Sequence, residues 1–267
     1  MNDDTPTAPS SVESLRARID AIDASILALV EQRMQVAQQF RAVKAHTAGA
    51  SALRPSREVE ILRTLIAASS GKLDPDLVID VWRPLLSASL RTQTHVEAAV
   101  AGAMDPVRLH DLVRRYFGHS IRLTKESDAR AALLRASENA SVIAAVPWPG
   151  NNGAGMWWPC LTENRYQNLM LIAGLPLRGE PEAALLAQRG EFEFEGADET
   201  LAIAFDPHHR LTRALNQSDL SGREIGRASE KLLFALDGFV SARDPRLSRA
   251  IREGLDGMRV IGSFSRI

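Results

Sequence analysis

From Leu15 onward, apolar residues recur in alternating steps of four and three: Leu15, Ile19, Ile22, Ile26, Leu29, Val36, Phe40 and Val43. Arg33 occupies the one position of this series that is not apolar. The spacing is a heptad seam, and it runs for about thirty residues without Gly or Pro. It predicts a helix ~45 Å long at 1.5 Å per residue. A helix of that length calls for a partner helix along its whole length. Residues 45–56 hold Gly49, Pro55 and several small polar residues, and read as a connector. A second helix follows, with Ile61, Leu62, Leu65 and Ile66 on one face, and Ser69-Ser70-Gly71 stops it. Asp74-Pro75 opens a third: Asp74 can cap free amides, and Pro75 suits the first helical position. Its apolar face is Val78, Trp82 and Leu85, and the pattern continues to about Ala98.

Beyond that point the pattern changes to short apolar runs. Residues 121–123, 141–146, 168–173, 201–205, 231–240 and 258–264 read as strands. Helices are expected near 127–136 and after Asp244-Pro245, and a Gly-, Pro- and Trp-rich loop over 147–159. Alternating strands and helices predict an α/β or α+β region. The expected organisation is multi-domain: a flexible tail over 1–11, an all-α region of three helices over 12–98, a linker over 99–106, and α/β regions over 107–195 and 196–267.

Composition narrows the partners. A formal net charge of -1 argues against the polyanion binding expected of a basic chain, so no nucleic-acid partner is predicted. The single cysteine, Cys160, excludes an internal disulfide and fits a reducing compartment. The start, Met1-Asn2-Asp3-Asp4-Thr5-Pro6, is acidic and polar, without the features of a secretory signal. No run approaches the ~18 apolar residues of a membrane helix. The expectation is a cytoplasmic protein with no membrane partner.

The informative residues are polar ones where the apolar faces should continue. Arg33 lies in the seam, Arg16 adjoins its first residue and Lys44 its last. Arg57 and Glu58 precede Ile61 and Leu62 by one turn. Ser89 follows Leu85 by four residues, and Gln93 follows Ser89 by four. A lone Arg on a seam can set register or form a buried ion pair. Several cations against one obvious acid, Glu58, instead ask for an anion from outside, and a small dicarboxylate suits arginine's paired hydrogen bonds.

The stretches Leu15–Asp23, Gln32-Arg33, Lys44, Arg57-Glu58 and Ser89–Gln93 resemble the all-helical (type II) chorismate mutases. The resemblance implies an intertwined homodimer whose long first helices pair antiparallel, with Arg16 borrowed across the interface. It implies that Arg16 and Arg33 hold the two carboxylates of chorismate and that Lys44 and Gln93 face the ether oxygen of the breaking bond. Glu58 would accept a hydrogen bond from the substrate hydroxyl, and Arg57 and Ser89 would complete the polar wall. The reaction, chorismate to prephenate, is an intramolecular rearrangement that needs no cofactor and no metal. It requires a held conformation and stabilised charge on the ether oxygen. Two departures stand out: Arg54 replaces an acid common in relatives, and Pro84 interrupts the third helix and should kink it.

Toward the C-terminus, Leu232–Phe239, Asp244-Pro245 and Val260–Arg266 resemble the ACT module of prephenate dehydratases, and residues 127–147 faintly resemble part of the catalytic lobe. The Thr-Arg-Phe motif of that family is missing, with Asn164-Arg165-Tyr166 the nearest stretch, and so is the Glu-Ser-Arg-Pro signature. The region is therefore expected to be dehydratase-like but without dehydratase activity. The alternative is a bifunctional mutase–dehydratase. His208-His209 reads as an exposed turn pair rather than a metal site, and Trp157-Trp158 as residues that pack their own loop.

Overall fold

The structure, a computed structural model, describes residues 11–44, 53–102, 105–151, 153–190 and 196–267. The expected tail over 1–11 lies outside the described residues except for Ser11, and most of the connector before the second helix lies outside them too. By its contacts the chain divides into two units, residues 1–47 and 48–267.

The first unit contains helix α1, Val12–Lys44. Ser11 starts it: its hydroxyl accepts the Ser14 amide at 3.1 Å, satisfying a free N–H of the first turn. The seam residues Leu15, Ile19, Ile22, Ile26, Leu29 and Val36 are 44–63% exposed within the chain.

The second unit opens with α2, Pro55–Ala68, and α3, Pro75–Gln93. Both start with Pro in the first turn, and Asp74 caps α3 by accepting the Asp76 amide at 2.8 Å. α3 runs on through Pro84. It stops at Gln93, short of the expected Ala98, because Glu97–Ala101 form strand β1. That strand also takes up the first three residues of the linker expected over 99–106. Its residues Ala98, Ala99, Val100 and Ala101 are fully buried between two parallel neighbours. A strand covered on both faces shows no alternation, and its alanines read as helix by propensity.

Asp105 then caps α4, Pro106–Phe117, and β2 (Arg122–Glu126), α5 (Ala129–Glu138) and β3 (Val142–Pro147) follow. These make two successive β-α-β crossovers, with β1 central. β4 (Leu169–Leu175) and β5 (Ala183–Gln188) extend the sheet antiparallel beyond β3. The remaining elements are β6 (Glu199–Phe205), α6 (Leu211–Gln217), β7 (Gly222–Ala228), β8 (Lys231–Asp237), α7 (Pro245–Arg252) and β9 (Asp256–Phe264). Their order in the sheet is β9-β6-β8-β7, so this β-α-β-β-α-β run is a ferredoxin-like unit.

The two α/β regions expected over 107–195 and 196–267 share one nine-stranded sheet, order β2-β1-β3-β5-β4-β9-β6-β8-β7. The halves meet where β4 pairs with β9 at Leu171 and Gly262. Gly262 has φ 149°, and a Cβ there would stand 2.0 Å from the Leu171 carbonyl oxygen, so the junction requires glycine. β8 serves two cores by alternation. Leu233 and Ala235 join the large core shared with α2–α5, whereas Leu232, Phe234 and Leu236 join a smaller one under α6 and α7.

The main division of contacts therefore falls between residues 47 and 48, not near residue 98. The cause is polar as well as apolar: α3 is tied to α4 through Arg83, Ser87 and Arg91, which donate to the backbone of Tyr116 and Phe117.

Candidate functional site

Three of the seven expected site residues lie on α1 in the first unit. Arg16 is exposed and Arg33 is partly buried. Burial lowers the Arg33 guanidinium pKa, and an arginine remains a cation under such a shift. Lys44 is the last residue of α1; its side chain lies outside the described residues, as do those of Phe40 and Val43.

The other four lie in the second unit. Arg57 is exposed, and its Nη1 meets Glu60 Oε2 at 2.5 Å one turn along the helix. Ser89 is buried and donates to the Leu85 carbonyl at 2.9 Å. Gln93 Nε2 donates back to the Ser89 carbonyl at 3.1 Å. Ser89 and Gln93 thus share one face of α3 as the spacing predicted, each with a bond inside its own helix.

Glu58, expected to accept a hydrogen bond from the substrate hydroxyl, also has partners within the chain. It is buried in the first turn of α2, and Arg83 Nη1 donates to its Oε2 at 2.6 Å. The Tyr116 hydroxyl donates to the same oxygen at 3.1 Å. Arg83 also donates to the Tyr116 carbonyl through Nε at 2.9 Å and Nη2 at 2.6 Å, and its guanidinium carbon lies 3.8 Å from the centre of the Tyr116 ring. The result is a buried triad drawn from α2, α3 and α4.

Its electrostatics are self-consistent. Burial alone would lower the Arg83 pKa, but the charge of Glu58 and the bonds to Glu58 and Tyr116 outweigh it, and the net direction is up. Burial, reinforced by the Glu58 charge, pushes the Tyr116 phenol well above its ordinary value. Arg83 therefore stays charged and Tyr116 stays a donor, so Oε2 of Glu58 keeps both partners across the working pH range.

Sequence reasoning overlooked Arg83 and Tyr116. The signal for Arg83 was present: Arg83, Leu86, Ser87 and Leu90 stand at i, i+3, i+4 and i+7, and all are buried. This is a second face of α3, beside the Val78-Trp82-Leu85 stripe. Nothing local marks Tyr116 as a partner of Glu58, 58 residues earlier.

A cavity of about 160 Å³ adjoins the triad, lined in part by Ile79, Leu112, Leu175 and Leu177. Its arginines are answered by acids: Arg108 by Glu182 at 2.5 Å, Arg115 by Asp80 at 3.0 Å and Arg178 by Asp76 at 3.5 Å. It therefore offers no surplus charge for an anion.

The residues set aside on sequence grounds have the following surroundings. Trp157 and Trp158 are buried and donate to the carbonyls of Pro147 and Gly150, pinning their own loop. His208 and His209 are exposed beside a turn, and no group of three metal-ligating side chains occurs among the described residues. Cys160 is buried, and burial pushes its thiol up to about 11. Among the described residues no helix is long and apolar enough to cross a membrane.

Comparison with known proteins adds an independent finding. The family model of type II chorismate mutases matches residues 15–94. A bifunctional chorismate mutase/prephenate dehydratase of Pseudomonas aeruginosa is 30% identical over 95 residues, covering 34% of this chain and 26% of that protein. A protein of the same description from Stutzerimonas stutzeri is 28% identical over 114 residues, covering 41% of this chain and 31% of the relative. The chain thus spans about a third or less of the length of these two relatives. Among solved structures, a prephenate dehydratase of Arthrobacter aurescens in complex with L-Phe aligns over 64% of this chain and 90% of its own, with TM-score 0.45 and 15% identity. Three of the expected site residues on α1 or its end and four on α2 and α3 all fall inside the matched span, and residues 15–94 are the part of the chain that matches the type II chorismate mutase family.

Proposed function

We propose that this chain is a chorismate mutase that rearranges chorismate to prephenate without a cofactor, as a homodimer in the cytoplasm. The observation that carries the reading is the family match over residues 15–94, which contains Arg16, Arg33, Lys44, Arg57, Glu58, Ser89 and Gln93. Cations and neutral donors are what the reaction needs. Arg33, with Arg16 from a second copy, would grip the two carboxylates and hold the substrate in its reactive shape. Lys44 and Gln93 would stabilise charge growing on the ether oxygen. Gln93 would exchange its bond to the Ser89 carbonyl for one to substrate. The exposed apolar seam of α1 supports the dimer, because it is a face that a second α1 can cover.

A second reading is a bifunctional mutase–dehydratase, favoured by the names of the relatives. Against it stands Asn164-Arg165-Tyr166 in place of a Thr-Arg-Phe motif, with Tyr166 buried in a short helical turn. We favour a non-catalytic role for the α/β region.

The test is chorismate consumption by the purified chain, with prephenate and phenylpyruvate quantified separately. Prephenate alone is expected. Phenylpyruvate above the acid-catalysed background selects the second reading, and no consumption overturns both.

A further inference from the structure

Resting on the mutase reading, we infer that Arg83 and Tyr116 are positioning residues for the reaction, and that the α/β region takes part in it by holding Glu58. Three observations on different elements converge. Glu58 is the one acid among the seven expected site residues, and its side chain is only 11% exposed. Both of its bonds, from Arg83 and from the Tyr116 hydroxyl, fall on Oε2, and among the described residues none falls on Oε1. Arg83 is in turn fixed by two bonds to the Tyr116 carbonyl and by the face of the Tyr116 ring.

The geometry divides the carboxylate's two oxygens between two tasks. Oε2 is held in the protein, which sets the rotamer and the plane of the carboxylate. Oε1 remains to accept the substrate hydroxyl. A carboxylate with three rotatable bonds to its Cα presents a broad set of positions unless something fixes it. Misplacement by about 1 Å can cost as much as about a hundredfold in rate. Tyr116 lies on α4, outside the span that matches the mutase family, which ends at residue 94. The α/β region therefore does more than add mass: one of its helices completes the support of a residue in the helical region.

A merely structural role is a real competitor, since a buried ion pair is costly to break whatever it supports. Coupling separates the two. Tyr116→Phe keeps the ring over Arg83 and removes only the donor to Glu58. We expect it to lower kcat on chorismate about tenfold with KM changed less than about twofold. In a Glu58→Ala background, which removes the acceptor itself, the same change should have no further effect on kcat. Arg83→Lys, which keeps the charge but not the fork, should show the same dependence on Glu58. Ser87→Ala is the control: Ser87 donates to the Phe117 carbonyl in the same α3–α4 contact and makes no bond to Glu58. It should lower Tm and leave kcat unchanged.

Tyr116→Phe at the wild-type rate, or losses that simply multiply with those of Glu58→Ala, overturns the inference while the mutase reading stands. A rate loss in Ser87→Ala that matches the loss in Tm also overturns it, because stability alone then explains the effect. No turnover by the unaltered chain, or full turnover by Glu58→Ala, overturns the reading beneath it.

Discussion

α1 and α3 carry comparable apolar patterns but differ in how much of each is buried. α3 has Val78, Arg83, Leu86, Ser87 and Leu90 buried, and α4 supplies both apolar cover and backbone acceptors. On α1 the seam from Leu15 to Val36 stays largely exposed within the chain. The comparison teaches that a periodic stripe announces a need for burial without saying where the partner comes from. For α3 the partner is encoded about thirty residues downstream. For α1 we propose that it is a second copy of the same helix.

The sharpest way to break this comparison is to charge the seam. Ile22→Glu with Ile26→Glu should abolish the dimer, seen as a halved mass by light scattering, and remove turnover with it. The β-sheet signal in circular dichroism should persist. A dimer that survives both substitutions means the seam is not the interface.

The equivalent attack on α3 is Arg83→Ala, which leaves Glu58 buried without its cation. A loss of about 3–5 kcal/mol is expected from denaturant unfolding. The double change Arg83→Met/Glu58→Gln should recover part of it, since the uncompensated charge is then gone. On α1, Arg33→Ala or Lys44→Ala should cost about 10²–10³ in kcat/KM with little change in Tm, the mark of a donor used on substrate rather than on the fold. Full activity in either variant would sink the site assignment.

Smaller effects probe the second unit by itself. Gly262→Ala should cost about 1–3 kcal/mol, because its Cβ meets the Leu171 carbonyl and the sheet must shift at the β4–β9 junction. An unchanged unfolding midpoint would show that the junction yields freely. The smallest effect is alkaline. Burial raises the Cys160 thiol to about 11, so the folded chain holds its proton after the unfolded chain, with a thiol near 8.5, has released it. Stability should therefore fall as pH rises from about 8.5 toward 11 and level off beyond, and Cys160→Ala should remove that share of the slope. Urea melts across that range test it.

How much of this was legible in the sequence depended on where each signal's partner lay. α1, α2 and the start of α3 were readable because heptad spacing and an Asp-Pro cap are local. The same Asp-Pro signal stands at Asp105-Pro106 and opens α4, inside the stretch 99–106 expected to be a linker. β1 and β5 were missed because Ala98-Ala99 and Ala183-Ala184-Leu185-Leu186 are good helix formers, and only their neighbours in the sheet make them strands. β7 was missed because an edge strand with exposed Gly222, Arg223 and Glu224 shows no apolar alternation. Among the site residues, Ser89 and Gln93 fall on one face of α3 as spacing required. The Glu58 environment was legible only in part: Arg83 shares a periodic face with Leu86, Ser87 and Leu90, whereas Tyr116 is joined to Glu58 only by the fold.

Only Thr94, His95 and Val96 separate the end of α3 from the start of β1. β1 is the centre of the parallel part of the sheet, and the preceding helix is bonded to α4. Cutting the chain there would not release a self-standing helical piece. It would strip Glu58 and Arg83 of Tyr116 and detach β1 from the helix that leads into it. The two halves are therefore coupled in any truncation: a deletion at this point would leave the buried Arg83–Glu58 pair without its third member.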